Sequence, residues 1–275
     1  MNKLTTDLKS LHEATLNNLK NSKANNTLRA YKSDFKDFGA FCAKHGLSSL
    51  PSEPKTVSIY LTHLSKNSKI STIRRRLVSI SMVHKLKGHY LDTKHPIITE
   101  NLLGIKRVKG SIQKGKKPIL INHLKSIVNV IDEQKCEEIK KLRDKSIILI
   151  GFGGGFRRTE LISIDHEDLE FVAEGLKINI RKSKTDQLGE GMMKGLPYFS
   201  NEIYCPVTTL KKWLEVSKIM SGPIFRRFSK GSLLTEKRLT DQSVVLLMKE
   251  YLNLAGIENK NFAGHSLRAG FATVA

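Results

Sequence analysis

Gly151-Phe-Gly-Gly-Gly-Phe-Arg-Arg-Thr-Glu-Leu161 is the stretch whose reading decides the fold of the second half of this chain. The apolar run Ile147-Ile-Leu-Ile150 precedes it, and two readings compete. As a strand followed by a glycine loop, the segment would cradle a dinucleotide. Phe156 stands where a GxGxxG loop needs its third glycine, and arginines would occupy the N-terminus of the following helix. The alternative is a helix over residues 136–150 that ends in glycine, a common C-terminal stop. The second reading is the better one, and it places the segment in a helical rather than a doubly wound fold.

Outward from that point the pattern alternates between helix and strand. Residues 122–131 and 136–150 carry helical periodicity, as do residues 207–217 and 240–254, the last beginning with the capping pair Thr240-Asp241. Leu176-Lys-Ile-Asn-Ile-Arg181 alternates with period two, as a half-buried strand does. The second part is therefore expected to be α+β, with a small sheet around residues 166–198. Upstream the chain reads as all helix. Asn26 and Thr27 can cap a helix that puts Tyr31, Phe35, Phe38 and Phe41 on one face. Residues 52–64 form another, with Pro54 in its first turn. A third, capped by Ser71 or Thr72, runs through Leu77, Ile80, Val83 and His84. Its start carries Arg74, Arg75 and Arg76, which span about 200° of helix circumference, so at least two must meet solvent or a ligand.

The 275 residues carry 47 Lys/Arg against 26 Asp/Glu, a net charge of +21, and the excess is lopsided. Residues 1–117 hold 23 cations and 7 acids, the remainder 24 and 19. A surplus of this size points to a polyanion, nucleic acid before an anionic membrane surface. No run approaches the length of a transmembrane span, and the N-terminus lacks a signal peptide's apolar stretch. Three scattered cysteines, Cys42, Cys136 and Cys205, exclude a disulfide scaffold and a CxxC knuckle and suit a reducing cytoplasm. The nine histidines show no HxxxH pattern, and nothing calls for a metal or nucleotide cofactor. The boundary between the two parts falls in Lys106-Arg-Val-Lys-Gly-Ser-Ile-Gln-Lys-Gly-Lys-Lys-Pro118. Its glycines and self-repelling cations favour an extended basic linker that touches phosphate, or a solvated surface loop. Arg29, Lys69, Arg74, Arg75, Arg76, Lys106, Arg107 and Lys109 are the candidate DNA contacts.

Two further segments carry chemistry. Arg181-Lys-Ser-Lys-Thr-Asp-Gln187 has the composition of a hairpin tip, exposing lysines; alone it reads equally as a solvated turn. Gly264-His-Ser-Leu-Arg-Ala-Gly270 spaces His265 and Arg268 so that they share a helix face. Taken together, two arginines, a histidine and a lysine suit a phosphodiester. Arginine forks bind non-bridging oxygens whose charge grows in the transition state, histidine donates or shuttles a proton, and lysine protonates a leaving alkoxide.

These three segments, in this order, resemble the tyrosine recombinases, the phage integrase and Cre-like family. Gly155-Phe-Arg-Arg-Thr-Glu-Leu161 is similar to the family's first arginine box, which implies Arg157 as a catalytic arginine and Glu160 as the acid orienting the site. Ser183-Lys-Thr185 is similar to its hairpin lysine, Lys184, and His265-x-x-Arg268 to its second box. The resemblance implies a mostly α (α+β) protein. Its parts would be a helical SAM-like DNA-binding domain (1–107), a basic linker (108–118) and a mixed α/β catalytic domain with a small antiparallel sheet (119–275). It implies site-specific recombination of double-stranded DNA through a tyrosine nucleophile, without metal or cofactor, by a cytoplasmic protein that assembles as a tetramer on DNA when complete. In the family the nucleophile follows the second arginine. Here all six tyrosines (Tyr31, Tyr60, Tyr90, Tyr198, Tyr204 and Tyr251) precede His265. The expectation is a catalytic domain missing its C-terminal helices and its nucleophile, hence inactive in strand cleavage, or alternatively a non-catalytic DNA-binding remnant.

Overall fold

A computed structural model describes residues 2–21, 25–110, 115–181 and 191–274, which divide into two compact units, Met1–Gln113 and Lys114–Ala275. The first unit is helical: α1 (Asn2–Asn21), α2 (Asn25–Lys44), α3 (Pro54–Ser65), α4 (Ile70–Leu86) and α5 (Pro96–Lys109). The aromatic stripe of α2 meets α3, with the rings of Phe38 and Tyr60 5.0 Å apart and both side chains fully buried. Ile73 and Ile80 of α4 and Ile98 of α5 complete this core. Pro54 opens α3, where its missing N–H costs nothing. Ser52 does not cap that helix; its backbone N–H donates to Nε2 of the buried His84 at 3.0 Å.

The linker expectation needs correction at its start. Helix α5 continues through Lys106, Arg107 and Lys109 and ends at Gly110, whose φ is +71°. Cations are favoured beside the carbonyl end of a helix. At its far end the stretch is held by the second unit. The Lys117 N–H donates to the Asn261 carbonyl at 2.8 Å and the Ile119 N–H to that of Ser266 at 2.9 Å. Residues 111–114 lie outside the described residues.

The second unit begins with α6 (Ile121–Glu133), α7 (Glu138–Gly153) and α8 (Arg158–Ser163), then β1 (Leu169–Val172), β2 (Gly175–Ile180) and β3 (Met192–Pro197). It closes with α9 (Pro206–Ser217), β4 (Arg226–Phe228), β5 (Leu234–Arg238), α10 (Asp241–Leu254) and α11 (Ser266–Val274). The β4–β5 hairpin has no counterpart in the sequence expectations. The run 147–150 is buried helix, and α7 extends three residues past Ile150 into the glycines, so the dinucleotide reading is excluded. Strands β1, β2 and β3 form an antiparallel sheet in that order. Leu176, Ile178 and Ile180 of β2 face inward, as the period-two pattern requires, opposite Leu196, Lys194 and Met192 of β3. Trp213 of α9 lies at the centre of the core, its indole N–H donating to the Ile224 carbonyl at 2.9 Å.

Candidate active site

The turn between α7 and α8 builds the site. Gly155 takes a φ of +55°, and a side chain there would sit 2.6 Å from the Phe271 ring of α11. Glycine therefore allows both the left-handed turn and the close approach of α11. Arg157 follows in extended conformation at the N-cap of α8. Glu160, one turn in and 2% exposed, accepts from the Arg157 backbone N–H at 2.9 Å and from its guanidinium at 2.5 Å. The first of these bonds is the reach-back half of a capping box, so one carboxylate caps the helix and aims the arginine. Burial alone would raise the Glu160 carboxyl. The Arg157 N–H, the Arg157 guanidinium and the nearby Lys194 outweigh it and hold the group below the ordinary carboxylate range.

Arg268 arrives on α11 from 113 residues further along the chain, its Nη1 donating to the Gly155 carbonyl at 2.9 Å and lying 3.8 Å from Glu160. The helix is held there by the Ile119 strap and by Gly270, where a Cβ would strike the Ile119 carbonyl. Arg157 and Arg268 thus share one buried acid while their side chains stay 20% and 39% exposed, available to an anion. His265 sits just before α11, outside the helix that carries Arg268, so the shared helix face expected of the pair is not formed. His265 is exposed, and among the described residues its ring makes no hydrogen bond. Lys184 lies outside the described residues; β2 and β3, which flank its segment, pair as an antiparallel hairpin.

Two cations in the neighbourhood went unassigned in the sequence. Arg158 packs against Gly264, the residue before His265, and reaches Asp241 of α10 at 3.5 Å. Lys194 of β3 donates from Nζ to the carbonyls of Gly154 (2.6 Å) and Gly155 (3.3 Å) and lies 4.6 Å from the centre of the Phe156 ring. Burial, with Arg268 and Arg157 nearby, pulls its amine below the ordinary lysine value against the attraction of Glu160. A lysine at an inward register of β3 was the available signal.

None of the six tyrosines appears in the contacts of the arginine pair among the described residues. Tyr251 is core: its hydroxyl donates to the buried Asp144 at 2.8 Å, and burial together with that acid pushes it far above the ordinary phenol value. In the first unit, Arg75 pairs with the buried Asp34, and Arg76 with Asp37 and the Tyr60 hydroxyl. Arg74 is exposed, with no acid partner among the described residues. Arg29 is exposed near Asn26, Lys106 is half-buried and Arg107 exposed. Lys109 bonds the Ser68 carbonyl at 2.9 Å, which brings the end of α5 beside the exposed Lys69 at the start of α4.

A helical unit followed by an α+β unit with paired arginines on a buried glutamate defines a class of proteins that handle phosphodiesters. Residues 119–274 match the family model described as "Phage integrase family", and residues 14–87 that described as "Phage integrase, N-terminal SAM-like domain". The chain belongs to the phage integrase family, the tyrosine recombinases. It is 42% identical over 260 residues to an integrase/recombinase xerD homolog of Selenomonas ruminantium, covering 94% of this chain and 75% of that protein. It is 27% identical over 252 residues to the tyrosine recombinase XerC of Leptospira interrogans, covering 90% and 73%. Among solved structures, a lambda integrase dimer bound to a core site shares the fold with a TM-score of 0.56 at 17% identity, over 99% of this chain and 73% of that one. The post-cleavage complex of the XerH recombinase gives 0.52 at 15%, over 81% of this chain and 58% of that one.

Proposed function

We propose that this protein carries out site-specific recombination of double-stranded DNA by strand breakage and rejoining, with Arg157 and Arg268 gripping the scissile phosphate. The observation that carries this reading is the convergence of the two arginines on Glu160 with their outer N–H groups left open. A buried carboxylate fixes the aim of both guanidiniums in advance. They then meet the charge that develops on the non-bridging oxygens without reorganising, which is the main source of such catalysis. The share of positive charge in residues 1–117 supports a backbone-tracking role for the helical unit. Arg29, Lys69, Arg74, Arg107 and Lys109 contact phosphates or bases, with Arg75 and Arg76 doing so less, because acids of α2 hold their head groups.

In the mechanism a tyrosine hydroxyl attacks the phosphorus, the 5′-oxygen leaves with a proton from Lys184, and a 3′-phosphotyrosyl link conserves the bond energy. His265 donates to the phosphate. Relatives caught as a dimer on a core site and as a tetramer on a Holliday junction support assembly of several copies on DNA.

The test is incubation of the protein with nicked duplexes taken from the DNA flanking its gene. A covalent protein–DNA adduct is expected in a denaturing gel, lost in Arg157→Ala and in Arg268→Ala while duplex binding persists. Undiminished adduct in either variant overturns the reading.

A further inference from the structure

Lys194 is half-buried beside the arginine pair. It faces inward from β3 opposite Ile178, which is fully buried, and shares that face with the buried Leu196. Burying an ammonium is costly unless its protons are satisfied. Here they are satisfied by the carbonyls of Gly154 and Gly155 and by the face of Phe156, and no acid lies within salt-bridge distance of Lys194 among the described residues. The placement is specific in a second way. The Gly155 carbonyl also accepts from Arg268, so one oxygen ties β3 to α11, and it belongs to the turn that leads directly into Arg157.

The Gly155 carbonyl, which already accepts from Arg268, would compete with an incoming anion for that arginine's N–H groups. An ammonium seated on both carbonyls answers that negative potential, holds the turn, and leaves net positive charge where the anion must sit. Resting on the phosphate-gripping role argued above, we propose that Lys194 is a positioning residue for that site. It fixes the Gly154–Gly155 carbonyls and, through the shared Gly155 oxygen, sets the aim of Arg268 beside Arg157.

The probe is orthovanadate, which adopts the pentavalent geometry of a phosphoryl transition state. The full chain is labelled so that the arginine Nε–H signals are seen by NMR, with Arg157→Lys and Arg268→Lys assigning the two of interest. In the wild type, vanadate should shift both signals saturably. Lys194→Met should weaken that binding by about tenfold, the usual scale for losing a group that orients a ligand-holding side chain. Lys194→Arg, which keeps charge and donors, should stay within about threefold of the wild type. The Trp213 indole signal reports whether each variant keeps its core. Should Lys194→Met not fold, Lys194→Gln replaces it, with the same tenfold loss expected.

Equal vanadate affinity in the wild type and the neutral variant overturns the role of Lys194 alone. A folded Lys194→Arg as weak as Lys194→Met also overturns it, since the cation and its donors would then be irrelevant. A wild type in which vanadate moves neither arginine overturns the phosphate-gripping role itself, and Lys194's role with it.

Discussion

Replacing Glu160 with glutamine removes one negative charge and leaves nearly the same shape, so the stability change reads the electrostatics of the site. Glu160 holds the Arg157 N–H at 2.9 Å and its guanidinium at 2.5 Å, and lies 3.8 Å from Arg268. A charge-assisted bond contributes about 1.5–3 kcal/mol and a neutral one about 1 kcal/mol, so Arg157 alone accounts for a loss of about 1–2 kcal/mol. Arg268 adds little, because it is 39% exposed and its interaction is screened. The expected total is about 2 kcal/mol, or a fall in melting temperature of about 4–8 °C for a unit of this size. Urea unfolding followed by Trp213 fluorescence measures it cleanly, since Trp213 is the only tryptophan and is fully buried in the same unit.

The pH dependence supplies the sign. Glu160 is held below its ordinary value in the folded chain. Its contribution is therefore fully present above the unfolded value of about 4.3 and is lost as pH falls through the folded value. The gap between wild type and Glu160→Gln should be constant from about pH 7 to pH 5 and narrow below about pH 4. A variant as stable as the wild type at neutral pH, or a gap unchanged in acid, would refute the reasoning.

Three more outcomes are expected. Asp34→Asn breaks the buried acid that holds Arg75 and accepts from Ser79 at 2.7 Å, and should cost the helical unit about 2–4 kcal/mol, read by faster amide exchange in α2 and α4. Gly270→Ala would place a Cβ 1.9 Å from the Ile119 carbonyl and should cost about 1–3 kcal/mol on the Trp213 unfolding curve; an unchanged curve would mean that α11 does not rest on the 116–119 strap. Duplex DNA binding should weaken steeply with salt, with a log–log slope of about −5 if six phosphates are neutralised, and a flat response would argue against a phosphate-tracking surface.

Much of this molecule was legible before its structure. The stripes of apolar residues placed α2, α3, α4, α6, α7, α9 and α10, and the alternation over residues 176–181 placed β2, because side-chain periodicity follows from backbone geometry within one element. The boxes around Arg157 and around His265 and Arg268 were legible for the same reason: each is a local run of residues whose spacing is a property of the chain.

Partner choice is not local, and there the tertiary structure decided. Three consecutive arginines look alike in sequence, yet Asp34 and Asp37 of another helix take Arg75 and Arg76 and leave Arg74 exposed. Lys106 to Lys109 had the composition of a linker until the carbonyl end of α5 claimed them. Lys194 became part of the arginine cluster only when β3 brought it beneath the Gly154–Gly155 turn. A charge is governed by the field of whatever packs around it, and that field exists only once distant segments have come together.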